Sequence, residues 1–78
     1  MGYTVRRLRE ERGLSCYALA QRAGVDSSWL RRVELGESGI RLETAFVLAY
    51  GLGMSAAELV AAIEADTLTL MSDTEEFK

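Results

Sequence analysis

Six interior glycines and a complete absence of proline most constrain what this 78-residue chain can become. Gly13, Gly24, Gly36, Gly39, Gly51 and Gly53 cut it into pieces of helical length, and no run alternates like a strand before residue 67. Thr4 is a fair N-cap for a first helix over about 5–12, with Val5 and Leu8 as its apolar edge and Gly13 as its stop. Ser15 can cap a second, about 16–23, in which Leu19, Ala20 and Ala23 recur at helical spacing. Gly24 permits the tight turn that follows. Asp26 can cap a third, about 27–35. A fourth, about 41–51, turns Leu42, Ala45, Phe46, Ala49 and then Leu52 to one side. Ser55 and Glu58 have the form of a capping box ahead of a fifth helix carrying Leu59, Val60 and Ile63. Residues 67–71, Thr-Leu-Thr-Leu-Met, alternate and are read as a short strand, and "SDTEEFK" reads as a solvated tail. The expected fold class is all-α, a compact five-helix bundle. It divides into a domain over 1–64 and an acidic C-terminal extension over 65–78.

Composition narrows the function. There is no histidine and one cysteine, Cys16. No disulfide can form within the chain, and the usual base of catalytic triads and ligand of zinc sites is missing. The Glu10/Glu11 and Glu75/Glu76 pairs read as solvated, so no enzyme, metal site or cofactor is expected. No apolar run approaches the ~20 residues of a bilayer span. The N-terminus lacks a signal-type apolar stretch, and Arg6 stands where a myristoylation signal wants Ser or Thr. A cytoplasmic protein with no membrane partner is expected.

The net charge of -3 conceals an asymmetry. Residues 1–53 hold eight arginines against six acids, while 54–78 hold one lysine against six acids. The front is mildly basic, which allows nucleic-acid binding without demanding it. At ~100° per residue, the third helix puts Trp29, Leu30 and Val33 on one side and Ser27, Ser28, Arg31 and Arg32 on the other. Small serines allow close approach, and the two arginines can reach phosphates or the O6 and N7 of guanine. Taken alone, this helix is better read as a solvated surface helix with two surface arginines. Its surroundings favour a groove. Leu19 and Ala20, Gly24 in the turn, then Val25, Leu30 and Val33 are the order a recognition helix needs to be clamped across an earlier one.

With those residues in place, "LREERGLSCYALAQRAGVDSSWLRRVELG" and "RLETAFVLAYGLGMSAAEL" resemble the lambda-repressor/Cro-like helix-turn-helix family over about residues 5–60. The resemblance implies a five-helix DNA-binding domain whose second and third helices form the reading unit. It further implies a dimer on a near-palindromic operator and a role in transcription, here read as that of a repressor. It places Ser27, Ser28 and Arg32 toward base edges, with Arg31 beside them in reach of base or phosphate. It implies an internal salt bridge between Arg9 and Glu34.

Trp29, with an indole N–H at the backbone side, and Arg41 are candidate DNA-backbone contacts. So are Ser15 and Tyr17, since Cys16 stands where the family often has a phosphate-binding Gln and a thiol is a poor donor there. For Cys16 itself, inert packing is favoured over a redox role. Glu37 and Ile40 replace the basic residue and Pro common in the following loop. Apolar Val47 and Tyr50 lie off the expected core side of the fourth helix. With Leu59, Ile63, Leu68, Leu70 and Met71 they suggest a two-fold homodimer through the fifth helix and 67–71. A different class of function, a protein-interaction module such as an antitoxin, anti-repressor or assembly adaptor, is favoured by the acidic C-terminal extension, Glu37 and Cys16.

Overall fold

The computed structural model describes residues 1–75, and side chains as far as Thr69. Among these residues there are five helices and no strand: α1 (Gly2–Glu11), α2 (Cys16–Ala23), α3 (Ser27–Glu34), α4 (Leu42–Leu52) and α5 (Ala56–Glu75). Local chemistry sets most boundaries. The Ser15 hydroxyl accepts from the Ala18 N–H at 3.0 Å and opens α2. Gly24, at φ +72°, closes it, and Val25 N–H returns to the Ala20 carbonyl at 3.0 Å. Ser55 and Glu58 form the reciprocal capping box: Glu58 N–H to Ser55 Oγ at 3.1 Å, and Ser55 N–H to Glu58 Oε1 at 2.8 Å. Asp26 holds the N-cap position of α3, but its side chain makes no capping hydrogen bond.

One core gathers Val5 and Leu8 of α1, Leu19 and Ala20 of α2, Leu30 of α3, Leu48 and Ala49 of α4, and Leu59 of α5. Each fully buried Leu or Val contributes roughly 1.5–3 kcal/mol. α2 and α4 pack so closely that a Cβ at Gly51 would lie 3.0 Å from Leu19 Cδ1 and 3.1 Å from Ala23 Cβ. That contact sets the rotation of α4. Ala45, Leu48, Ala49 and Leu52 face inward, whereas Leu42 and Phe46, expected on the core side, are exposed. The fourth helix is apolar almost all round, and periodicity alone could not choose its buried face.

Two further expectations are corrected. Thr4 does not cap a helix starting at residue 5. α1 begins at Gly2, and Thr4 lies inside it, buried, its Oγ1 donating to Asp66 Oδ2 of α5 at 2.7 Å. The first turn is held by tertiary contact: Gly2 approaches the end of α3 so closely that a Cβ would sit 2.1 Å from the Val33 carbonyl oxygen. Residues 67–71 are helical, not a strand. Thr67 and Thr69 donate back to the carbonyls of Ile63 and Ala65 at 2.7 and 3.0 Å, an arrangement that seats threonine in a helix. An alternating pattern needs a partner strand, and the described residues offer none. α5 runs unbroken past residue 64, where the C-terminal extension was expected to begin.

Asp66 joins α5 to α1, accepting from both Thr4 and Arg7 Nη2, the latter at 3.2 Å. The Thr4 hydroxyl, and then Arg7, hold its carboxyl below the ordinary carboxylate range. A depressed folded-state pKa stabilises the fold above the unfolded value of about 3.9, and the contribution is lost as pH falls through the folded value. Asp66→Asn therefore melts below the parent at neutral pH, and the gap closes in acid below about pH 4. Thermal melts of both proteins across pH 3–7 measure this.

Candidate nucleic-acid interface

Leu30 and Val33 of α3 are 0% and 1% exposed, and Trp29 is half-buried against the core. With those side chains inward, the opposite face of α3 can only point away from the domain. It carries Ser27, half-buried, with Ser28, Arg31 and Arg32 exposed. These four line one shallow groove together with Leu35. Leu35 was not among the expected contacts, although its number carried the signal. It lies seven residues after Ser28 and four after Arg31, in the same helical register. Reading apolar as inward concealed it.

The arginines divide into two groups. Arg6, Arg7 and Arg9 pair with carboxylates. Arg12 Nε donates to the Leu52 carbonyl and Arg22 Nε to that of Gly51 at 2.9 Å, satisfying the orphan carbonyls that end α4. Arg31, Arg32 and Arg41 form no ion pair among the described residues. The basic front seen in the sequence is thus largely spent inside the fold. Among the described residues three guanidinium groups remain without an ion pair, two on the outward face of α3 and one at the start of α4. Arg41 lines a second shallow groove with Trp29, Ser38, Gly39 and Thr44.

The Arg9–Glu34 pair implied by the resemblance is present and bidentate. Arg9 Nε donates to Glu34 Oε2 at 2.8 Å, Nη2 to Oε1 at 2.9 Å, and Nη1 to the Leu14 carbonyl at 2.8 Å. The side chains are 14% and 7% exposed. The pair ties the last turn of α3 to α1, and the Glu34 hydrogen bonds raise the Arg9 pKa above its usual value. Arg9→Ala strands the Glu34 carboxylate and lowers stability by about 3 kcal/mol in urea titrations.

The remaining expected contacts are dispersed. Ser15 is occupied as the N-cap of α2, and Tyr17 is exposed with its hydroxyl accepting from Gln21 Nε2 at 2.8 Å. Glu37 lines a different groove, with Met1, Gly2 and Val33, away from the outward face of α3. Cys16 Sγ lies 3.8 Å from the Ser27 carbonyl, bridging the starts of α2 and α3. Burial, then the Glu34 charge, pushes the thiol pKa up against the pull of Arg9 and Arg31. At pH 7, Cys16 is expected to alkylate more slowly than the same cysteine in the unfolded chain, and iodoacetamide labelling followed by mass detection tests this.

The apolar patch expected on α5 changes membership. Leu59 is fully buried in the core, not at an interface, because α5 turns it under α4. Ile63 is half-buried against the same core, and Leu68 is 54% exposed. The side chains of Leu70 and Met71 lie outside the described residues. Phe46, Tyr50 and Val60 are exposed. Among the described residues no group of His, Cys, Asp and Glu could hold a metal, and no single helix is long and apolar enough to cross a membrane.

A helix clamped by two buried aliphatics across an earlier helix, turned by a left-handed glycine and presenting unpaired cations, defines a helix-turn-helix protein. A family model described as a helix-turn-helix domain matches residues 1–62. The structure is similar to the restriction-modification controller protein C.AhdI from Aeromonas hydrophila, at 36% identity and TM-score 0.71, over 74% of this chain and 88% of that one. It is similar also to an HTH_3 family transcriptional regulator from Vibrio cholerae, at 37% identity and TM-score 0.72, over 77% of this chain and 34% of that one. The clp gene regulator ClgR from Corynebacterium glutamicum shares the fold at 24% identity, with TM-score 0.81 over 97% of this chain and 80% of that one. No curated protein matches the sequence. The chain belongs to the lambda-repressor/Cro-like helix-turn-helix family.

Proposed function

We propose that this chain is a DNA-binding transcription regulator, a repressor that acts as a homodimer and lays α3 in the major groove of a near-palindromic operator. One observation carries the reading: Arg31 and Arg32 stand without carboxylate partners among the described residues, on the face of α3 that the core leaves free. The controller protein and the transcriptional regulator that it resembles support it. The protein is not an enzyme; catalysis has no place in this reading.

Arg32 forks onto a guanine edge, Ser27 and Ser28 meet bases where the helix enters the groove, and Arg31 takes a base or the adjoining phosphate. Arg41 and the Trp29 indole N–H hold the phosphate backbone on one flank. Tyr17 and the N-terminal amides of α2 beyond Ser15 hold it on the other. The dimer brings two such helices ~34 Å apart, one turn of DNA. Its apolar contact draws on Leu68 with Val60, Phe46 and Tyr50, all exposed in the single chain. Residues 1–64 serve as the reading domain. The acidic stretch over 65–78 is the part open to a protein partner, and the protein works in the cytoplasm.

Selection of bound sequences from a random duplex library tests DNA binding, half-site symmetry and spacing together. Binding falls steeply with added salt, because each neutralised phosphate releases counterions. Arg32→Ala costs about 1–3 kcal/mol at the selected operator and relaxes one base position per half-site. Unchanged affinity in that variant removes Arg32 from the base-reading set, and failure to enrich any sequence removes the function.

A further inference from the structure

The outward face of α3 contains one residue with no hydrogen-bonding capacity. Leu35 is 62% exposed, yet it occupies the middle of that face, between Arg31 and Ser28 in angular position. It lines the same groove as Ser27, Ser28, Arg31 and Arg32. Its N–H bonds to the Arg31 carbonyl at 3.0 Å, and its backbone remains helical at φ -84° and ψ -2°. The side chain therefore continues the register of the helix. Gly36, at φ +78°, then turns the chain away and leaves Leu35 at the tip. The core does not use it, since Leu30 and Val33 supply the buried contacts of α3.

Resting on the DNA-binding reading, we propose that Leu35 is a base-reading residue whose methyl groups pack on the C5-methyl of a thymine in the major groove. Base edges there offer donors and acceptors at every position except one apolar group, the thymine methyl. A leucine among hydroxyls and guanidiniums has no other complement in that groove. Placed opposite a cytosine amino group or a guanine carbonyl, it would leave a polar atom without a partner. The seven residues separating Leu35 from Ser28 span ~10 Å of helix. At ~3.4 Å per base pair along the DNA axis, and with the helix lying obliquely in the groove, the thymine lies within about three base pairs of the base that Ser28 meets. Leu35 thus adds an apolar position to a half-site otherwise read through polar contacts.

The test replaces thymine by uracil, one position at a time, in the operator recovered by selection. The exchange removes only the C5-methyl. With the parent protein, one position per half-site loses about fourfold in affinity, the worth of burying one methyl group. With Leu35→Ala that position becomes indifferent to the exchange, while the thymine operator itself binds more weakly. Leu35→Met, which keeps apolar reach, retains discrimination. All three proteins melt alike, because the residue is exposed. Equal losses at the same thymine in the parent and in Leu35→Ala overturn the assignment. So does an operator indifferent to every exchange, a result that leaves Leu35 to a protein surface and the DNA-binding reading intact. A library that enriches nothing overturns both.

Discussion

The rotation of α3 about its own axis governs everything outside the core. Leu30 and Val33 are both buried and lie three residues apart, so together they fix which way the helix faces. Any appreciable rotation would expose one of them and bury an arginine without a partner, at a cost of several kcal/mol. Three constraints from different parts of the chain keep that setting. Gly24 makes the turn from α2, the bidentate Arg9–Glu34 pair holds the last turn to α1, and Gly2 admits the first turn of α1 against the Val33 carbonyl. The outward face of α3 is a consequence of these contacts and contains none of them.

Charge follows the same division. An acidic chain binds a polyanion only if its positive groups are gathered and its negative groups are elsewhere. Here the fold does the sorting. Arg12 and Arg22 are used on the last carbonyls of α4, and Arg6, Arg7 and Arg9 on carboxylates. The guanidiniums of α3 and of the start of α4 remain for solvent or a ligand. Glu37, close in sequence to Arg32, turns into a separate groove with Met1 and Gly2. Net charge is a poor guide to such a surface, since the field a ligand meets is set by unpaired groups at short range.

Much of this was legible before any coordinates. Glycine stops, serine caps and the spacing of Leu19, Ala20, Leu30 and Val33 are local signals, and the helices appear where those signals stand. The outward placement of Ser28, Arg31 and Arg32 follows from the period of the helix once its apolar side is known. The misreadings share a cause. Thr4 looked like a cap because its true acceptor, Asp66, lies 62 residues away. Leu42 and Phe46 looked inward because α4 is apolar on nearly every side, and only the close approach of α2 at Gly51 selects among them. Residues 67–71 looked like a strand because two threonines alternate with leucines, a pattern that a helix accommodates when the hydroxyls bond back to its own carbonyls.

By itself, then, the sequence determined the existence of five helices, the turns at their glycine stops and one polar face on α3, since each rests on interactions within a few residues along the chain; the start of α1 and the extension of α5 through 67–71 were not among them. The tertiary structure decided which arginines find partners, which side of α4 is covered, and that Leu59 belongs to the core. Those outcomes depend on partners brought together from distant positions, and no local periodicity contains the distances between them.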